Sequence, residues 1–272
     1  MQRAVELAEQ TARERGGCVM LGSIIHNAHV VQHLEQLGAH QVAGPEEIRP
    51  GDTVLIRAHG EKKQVIGHLK DIGAECVDAT CPNVLRVQQI VAQADAEGRV
   101  PIIIGDPNHP EVMGVASWSA RSVVFEGAET LQRWLDEDPA RRELPLTAVA
   151  QTTCIRIIWD GAAEILKKQC TNAKIFDTIC NATHKRQSEA AELASQVDVM
   201  VVVGDRKSAN TKHLTEICSR QCPAVYQIER AEELKRDFLT GCSVAGLTAG
   251  ASTPAGIIKE VYTTMSEEIK NM

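Results

Sequence analysis

The chain has 272 residues, 43% of them apolar, enough to bury one large core or about two to three smaller ones. Its 36 acidic and 29 basic residues give a net charge of −7, which excludes a nucleic-acid backbone as the main ligand; an anionic ligand needs a local site. No run approaches the roughly 18 apolar residues of a membrane helix, and MQRAVELAEQ has no apolar secretory core, so a cytoplasmic protein is expected.

Helical periodicity runs from Arg3 to Arg15 and stops at Gly16-Gly17. It begins with no strand and no N-cap residue ahead of it, as though inside a βα unit. A Val/Ile/Leu-rich strand, 18–25, then leads into His26 and Asn27. The next strand, 53–57, leads into Ala-His-Gly with His59. Asp-Ala-Thr-Cys-Pro follows, with Cys81 ahead of a helix over 84–97. Strand 101–105 ends in GDPNHPEV, which carries His109 and Glu111.

Further strands are expected at 122–125, 147–150, 173–176, 197–203, 224–228 and 243–247. Helices fit over 128–136, 185–196, 211–220, 231–237 and 255–270. Gln151-Thr152-Thr153, Asp-Thr-Ile-Cys180, Ser208-Ala209-Asn210 and Thr248 to Ser252 all follow apolar strands. Continuous apolar runs alternating with helical patterns predict α/β architecture with mainly parallel strands covered on both faces. Nine strands are too many for one simple sheet.

Open α/β sheets bind ligands at the carboxyl ends of their strands, where these polar segments lie. A single strand-end histidine is more often structural. Three at equivalent positions, with small hydroxyl residues and Asn at glycine-rich turns, point to a phosphorylated or diphosphorylated small molecule. Glu111 is either a surface acid after a His-Pro turn or a proton relay within a pocket.

The nine cysteines are an odd number, which together with the lack of an export signal argues against disulfides. Cys81 and Cys180 precede helices, where a helix N-terminus favours thiolate and anionic clusters. Burial as ordinary core residues is the alternative. Cys218 and Cys222, four apart, read as a buried pair on one helical face, and Cys18, Cys76, Cys154, Cys170 and Cys242 as core. No GxGxxG or P-loop signature is present, which speaks against a nucleotide enzyme.

The series IIHN, AHG, DATCP, GxxxHPEVxG, QTT, IC-x-AT-x-x-RQ, GxxxSxN and TAGAS, from residue 26 to residue 254, resembles 4-hydroxy-3-methylbut-2-enyl diphosphate reductases in content and order. The resemblance implies three α/β domains, 1–81, 82–178 and 179–272, in a trefoil around a central 4Fe-4S cluster. It implies reductive removal of the substrate hydroxyl to give isopentenyl and dimethylallyl diphosphate, with ferredoxin or flavodoxin as electron donor. By motif, Cys81 and Cys180 are cluster ligands, and Glu111, with Thr152 and His109, is the proton donor and its relay. His26, His59, His109, Thr152, Ser208, Ala209 through its backbone N–H, Asn210 and Ser252 are substrate ligands.

The resemblance also puts the family's first cluster cysteine in a Gly-Phe-Cys turn ahead of RAVELAEQ. The expectation is therefore a shortened chain with two cluster thiols and impaired reductase activity. A diphosphate-binding paralogue without an intact cluster is the alternative.

Overall fold

The structure, a computed structural model, describes residues 2–24 and 28–270. The chain divides into two compact units, residues 1–180 and 181–272. His26 and Asn27 lie outside the described residues.

The first unit opens with α1 (Gln2–Arg15), β1 (Cys18–Leu21), α2 (Ala28–Gln36), β2 (Ala39–Val42), β3 (Thr53–Ile56), α3 (Lys63–Asp71) and β4 (Glu75–Asp78). The strands form one parallel sheet in the order β2-β1-β3-β4. Alternation along the strands sorts the side chains to two faces. Cys18, Met20 and Leu55 join Ala4, Ala8 and Leu34 on one side, and Val19, Leu21, Val54 and Ile56 pack with Leu69 on the other. Burying each such side chain contributes roughly 1.5–3 kcal/mol, so both faces specify the register.

The unit continues through α4 (Pro82–Ala96), β5 (Val100–Ile104), α5 (Pro110–Ala116), β6 (Val123–Phe125), α6 (Ala128–Glu137), β7 (Leu146–Ala150), α7 (Arg156–Gln169) and β8 (Ala173–Ile175). These strands form a second parallel sheet, β6-β5-β7-β8. Ile102, Ile104, Ala148 and Ala150 face Leu131, Trp159 and Leu166, while Ile103 and Val149 face Val84, Val87, Val91, Val112 and Val115. The second unit holds α8 (Asn181–Ala194), β9 (Val199–Val203), α9 (Ala209–Ser219), β10 (Ala224–Ile228), β11 (Ala245–Ala249) and α10 (Ala255–Lys270). Its parallel sheet is β10-β9-β11. Three parallel sheets clad in helices therefore replace the single sheet that nine strands could not have made.

Strand 18–25 is shorter than expected because Gly22, at φ 70°, turns the chain out of the sheet after Leu21. The sequence pattern overlooks β2 and β4, since both are edge strands with partly exposed residues and no continuous apolar run. It also overlooks α2, α3, α5 and α7. The helix expected at 231–237 is instead two three-residue 3₁₀ turns, Ala231–Glu233 and Arg236–Phe238, with buried Ala231 in the first and buried Leu234 capping it. Cys222 lies beyond the end of α9, so the Cys218/Cys222 pair does not share a helix, although both thiols are buried. Among the described residues no helix is long and apolar enough to cross a membrane.

Candidate active site

Each strand of the first two sheets that ends in a polar motif delivers it to the carboxyl edge of its sheet. After β3 the chain turns sharply at His59-Gly60. Gly60 sits at φ 76°, where a Cβ would lie 2.7 Å from Gln88 Nε2, so only glycine suits the turn. After β4, Asp78 Oδ1 accepts the Thr80 N–H at 2.8 Å, and Cys81 donates its own N–H to the Ala58 carbonyl at 2.9 Å. This Asx turn leaves Cys81 as the N-cap of α4, with Pro82 in the first helical position. Val84, Val87, Gln88, Val91 and Ala94 are the buried face of α4.

The turn before α8 repeats the device. Asp177 Oδ1 accepts the Ile179 N–H at 3.2 Å, and Cys180 donates its N–H to the Thr152 carbonyl at 3.0 Å. Thr178 Oγ1 bonds both the N–H and the carbonyl of Ala150, at 2.8 and 2.7 Å, which prolongs the β7–β8 pairing past Ile175. Arg156 clamps the same turn through Asp177, at 2.7 Å.

Between the two turns stands the acid. His109 caps α5, its Nδ1 accepting the Glu111 N–H at 3.1 Å, so the neutral ring carries its proton on Nε2. Glu111 is 2% exposed, far from the surface acid that its turn context allowed. Oε1 accepts the Thr152 N–H at 2.6 Å and Oε2 the Thr152 hydroxyl at 2.9 Å. Burial pushes the Glu111 carboxyl above the ordinary carboxylate range, and the two Thr152 donors only partly oppose it. The rings of His59 and His109 meet edge to face with centroids 5.3 Å apart. Beyond His59, Arg57 pairs with buried Glu61 at 3.0 Å.

The contacts close into a circuit. From Cys81 they pass through Ala58 to His59, across to His109 and Glu111, through Thr152 to Cys180, and from the Cys180 sulfur to Asn83 Nδ2 at 3.1 Å. Asn83 stands two residues past Cys81 on α4. Of the candidates from sequence, His59, Cys81, His109, Glu111, Thr152 and Cys180 are thereby brought together. Asn83 was missed. The only sequence signal for Asn83 was a polar residue directly after Cys-Pro, at a position where a helix start has no need of it.

In the second unit, Ser208 caps α9, its Oγ accepting the Thr211 N–H at 3.5 Å, with Ala209 in the first helical position. Asn210 is 7% exposed, and its Nδ2 has no hydrogen-bond partner among the described residues. Gly250 N–H and Thr253 Oγ1 both bond the Val203 carbonyl, at 2.8 and 2.9 Å, and so fold the loop bearing Ser252 onto the end of β9. The other seven cysteines pack into or against hydrophobic cores, as Cys81 also does. Burial drives the Cys154 thiol up to about 12 and Cys218 up to about 11, values of inert core thiols. Among the described residues no group of three or more His, Cys, Asp or Glu side chains gathers to hold a metal ion.

A doubly wound α/β frame with thiols, imidazoles and a buried acid at its strand ends is the setting in which comparison with known proteins becomes informative. The LytB protein family model matches residues 1–266, and the chain belongs to this family of 4-hydroxy-3-methylbut-2-enyl diphosphate reductases. It is 38% identical to the reductase of that name from Caldanaerobacter subterraneus subsp. tengcongensis, over 100% of this chain and 93% of the relative. The Helicobacter pylori reductase is also 38% identical, over 98% of this chain and 94% of its own length. A solved structure of (E)-4-hydroxy-3-methyl-but-2-enyl diphosphate reductase, the terminal enzyme of the non-mevalonate pathway, superposes with a TM-score of 0.68 at 36% identity, covering 98% of this chain and 94% of that one. The structure of the E-1-hydroxy-2-methyl-but-2-enyl-4-diphosphate reductase from Plasmodium falciparum gives 0.91 at 25% identity, with 97% and 83% covered.

Proposed function

We propose that the chain is an oxidoreductase that removes the hydroxyl of 4-hydroxy-3-methylbut-2-enyl diphosphate, giving isopentenyl and dimethylallyl diphosphate. The observation that carries this reading is the circuit joining the backbones of both motif cysteines to two imidazoles and a buried acid. Each sheet with its helices is taken as one domain, 1–81, 82–178 and 179–272.

Cys81 and Cys180, adjacent through Asn83 at the start of a helix, suit two of the thiolate ligands of a 4Fe-4S cluster. Such a cluster, when bound, supplies electrons and a Lewis-acidic iron. Burial disfavours the charged form of Glu111, which suits the carboxyl to carry a proton and to deliver it as the hydroxyl leaves. Thr152 keeps the acid in one orientation through two hydrogen bonds. His59 and His109 are substrate ligands, their rings meeting edge to face at the strand ends.

Ser208, the Ala209 N–H, Asn210 and Ser252 are proposed as further diphosphate ligands, together with His26. The buried, unpaired Asn210 amide supports a polar ligand there, since such groups seldom go unsatisfied. A cytoplasmic ferredoxin or flavodoxin is the proposed electron donor.

Anaerobic reconstitution followed by iron and sulfide analysis and turnover with reduced methyl viologen tests this function. Substrate-dependent oxidation of the viologen is expected; full cluster occupancy with no turnover would refute it. By motif, Cys81 and Cys180 are the two cluster thiolates of this polypeptide, and a cluster held by two protein ligands is expected to be labile. The same observation favours a second reading, a diphosphate-binding protein without a cluster. Calorimetry distinguishes them, since only the binder gives saturable heat with substrate after iron has been chelated.

A further inference from the structure

Thr211, the third residue of α9, is 0% exposed, and its hydroxyl has no hydrogen-bond partner among the described residues. Buried hydroxyls left unpaired are destabilising and few, so this one calls for a reason. The backbone of Thr211 is accounted for, its N–H going to Ser208 Oγ at 3.5 Å and its carbonyl accepting the Thr215 hydroxyl at 3.0 Å. The side-chain oxygen lies in a notch between two glycines. A Cβ on Gly204, which sits at φ 153°, would lie 2.6 Å from Thr211 Oγ1 and 2.9 Å from Thr253 Oγ1. A Cβ on Gly250 would come closer still to Thr211 Oγ1.

Gly204 follows β9 and opens the turn that carries Ser208, Ala209 and Asn210, while Gly250 follows β11 and opens the turn that carries Ser252. The second turn is closed onto β9 by the Gly250 N–H and the Thr253 hydroxyl, both donated to the Val203 carbonyl, and the Thr211 oxygen meets it from the α9 side. We infer that Thr211 is a positioning residue whose hydroxyl oxygen acts as a spacer between the 204–210 and 250–252 turns. It touches no ligand itself. An oxygen suits this place because it is smaller than a methyl group, and a close-packed contact transmits even that difference to both turns. The consequence rests on the diphosphate reading proposed above: one turn suffices for a single phosphoryl group, whereas two linked phosphoryl groups need both turns at a fixed separation.

The test is calorimetry of the full chain with inorganic diphosphate and, separately, inorganic phosphate. Thr211→Val puts a methyl group where the oxygen stands and is expected to weaken diphosphate about three- to tenfold, with phosphate changed by less than about twofold. Thr211→Ala, which cannot clash, leaves a gap and should show the same selectivity at the lower end of that range. Thr211→Ser keeps the oxygen and should bind diphosphate within about twofold of wild type. A residue that merely supports the fold would weaken both anions together. Diphosphate binding that is unchanged in both Thr211→Val and Thr211→Ala, or lost in step with phosphate, overturns the proposal.

Hydrogen exchange without any ligand separates the spacer from the ligand assignment. The backbone amides of 250–253 are expected to exchange faster in Thr211→Val and Thr211→Ala than in wild type and Thr211→Ser. Unchanged exchange in both variants overturns the spacer. A wild-type chain that binds neither anion, but whose 250–253 amides respond in this way, supports the spacer and counts against the diphosphate reading instead.

Discussion

The turns at 78–81 and 177–180 use one backbone device for two differently supported thiols. In both, an aspartate accepts the N–H two residues on, and the cysteine N–H goes to a carbonyl at the end of a neighbouring strand. The first turn then relies on its helix, with Pro82 starting α4 and the cysteine itself as the N-cap. The second relies on side chains from elsewhere: Arg156 on Asp177, Thr178 on Ala150 and Asn83 on the sulfur. A cysteine's backbone can therefore be set locally while its sulfur is met by a residue distant in sequence.

The largest expected effect comes from removing either thiol. Cys81→Ser and Cys180→Ser should each lose bound iron and sulfide, with turnover falling beyond the about 10- to 100-fold typical of losing an outer-shell partner. If one variant retains full cluster while the other does not, the equivalence of the two turns is broken.

Next is Glu111→Gln, which keeps the hydrogen-bonding shape but not the proton, and should lower turnover by about 10²- to 10⁴-fold. It also carries a pH signature. The folded carboxyl lies above its unfolded value, so its contribution to stability is fully present below the unfolded value and is lost as pH rises through the folded one. Chemical denaturation across pH should show Glu111→Gln gaining on wild type above the ordinary glutamate range near about 4.3. A difference that stays constant with pH would mean that Glu111 does not titrate abnormally.

Thr152→Val removes the hydroxyl bond to Oε2 but keeps the N–H bond and the carbonyl that anchors Cys180. A loss of about 1.5–3 kcal/mol in transition-state stabilisation is expected from kcat/KM, with iron content unchanged. On the other turn, Gly60→Ala forces a side chain into the left-handed region and against Gln88, and should lower stability by about 1–2 kcal/mol in denaturant titration. The smallest effect separates the aspartates. Asp177→Ala should cost more than Asp78→Ala by no more than about 1 kcal/mol, because the extra Arg156 pair is solvent-exposed.

Much of this was legible in the residues. The βα alternation, the parallel sheets and the motif residues at strand ends follow from continuous apolar runs and local turn chemistry. The burial of Glu111 was not, because His-Pro-Glu looks the same in a surface turn as over a packed sheet; only Thr152, 41 residues on, closes the acid in. Edge strands β2 and β4 escaped for a related reason, their pairing being with strands that the local pattern does not show.

What the sequence alone determined is therefore whatever depends on neighbours along the chain: hydrophobic period, the glycine stop after the first helix, and the helix starts behind Cys81 and Cys180. Tertiary structure decided which of these pieces touch. The imidazole pair, the buried acid and the Asn83–Cys180 bond all join segments at large separations, and their energies come from desolvation and directional hydrogen bonds that exist only once the sheets have formed.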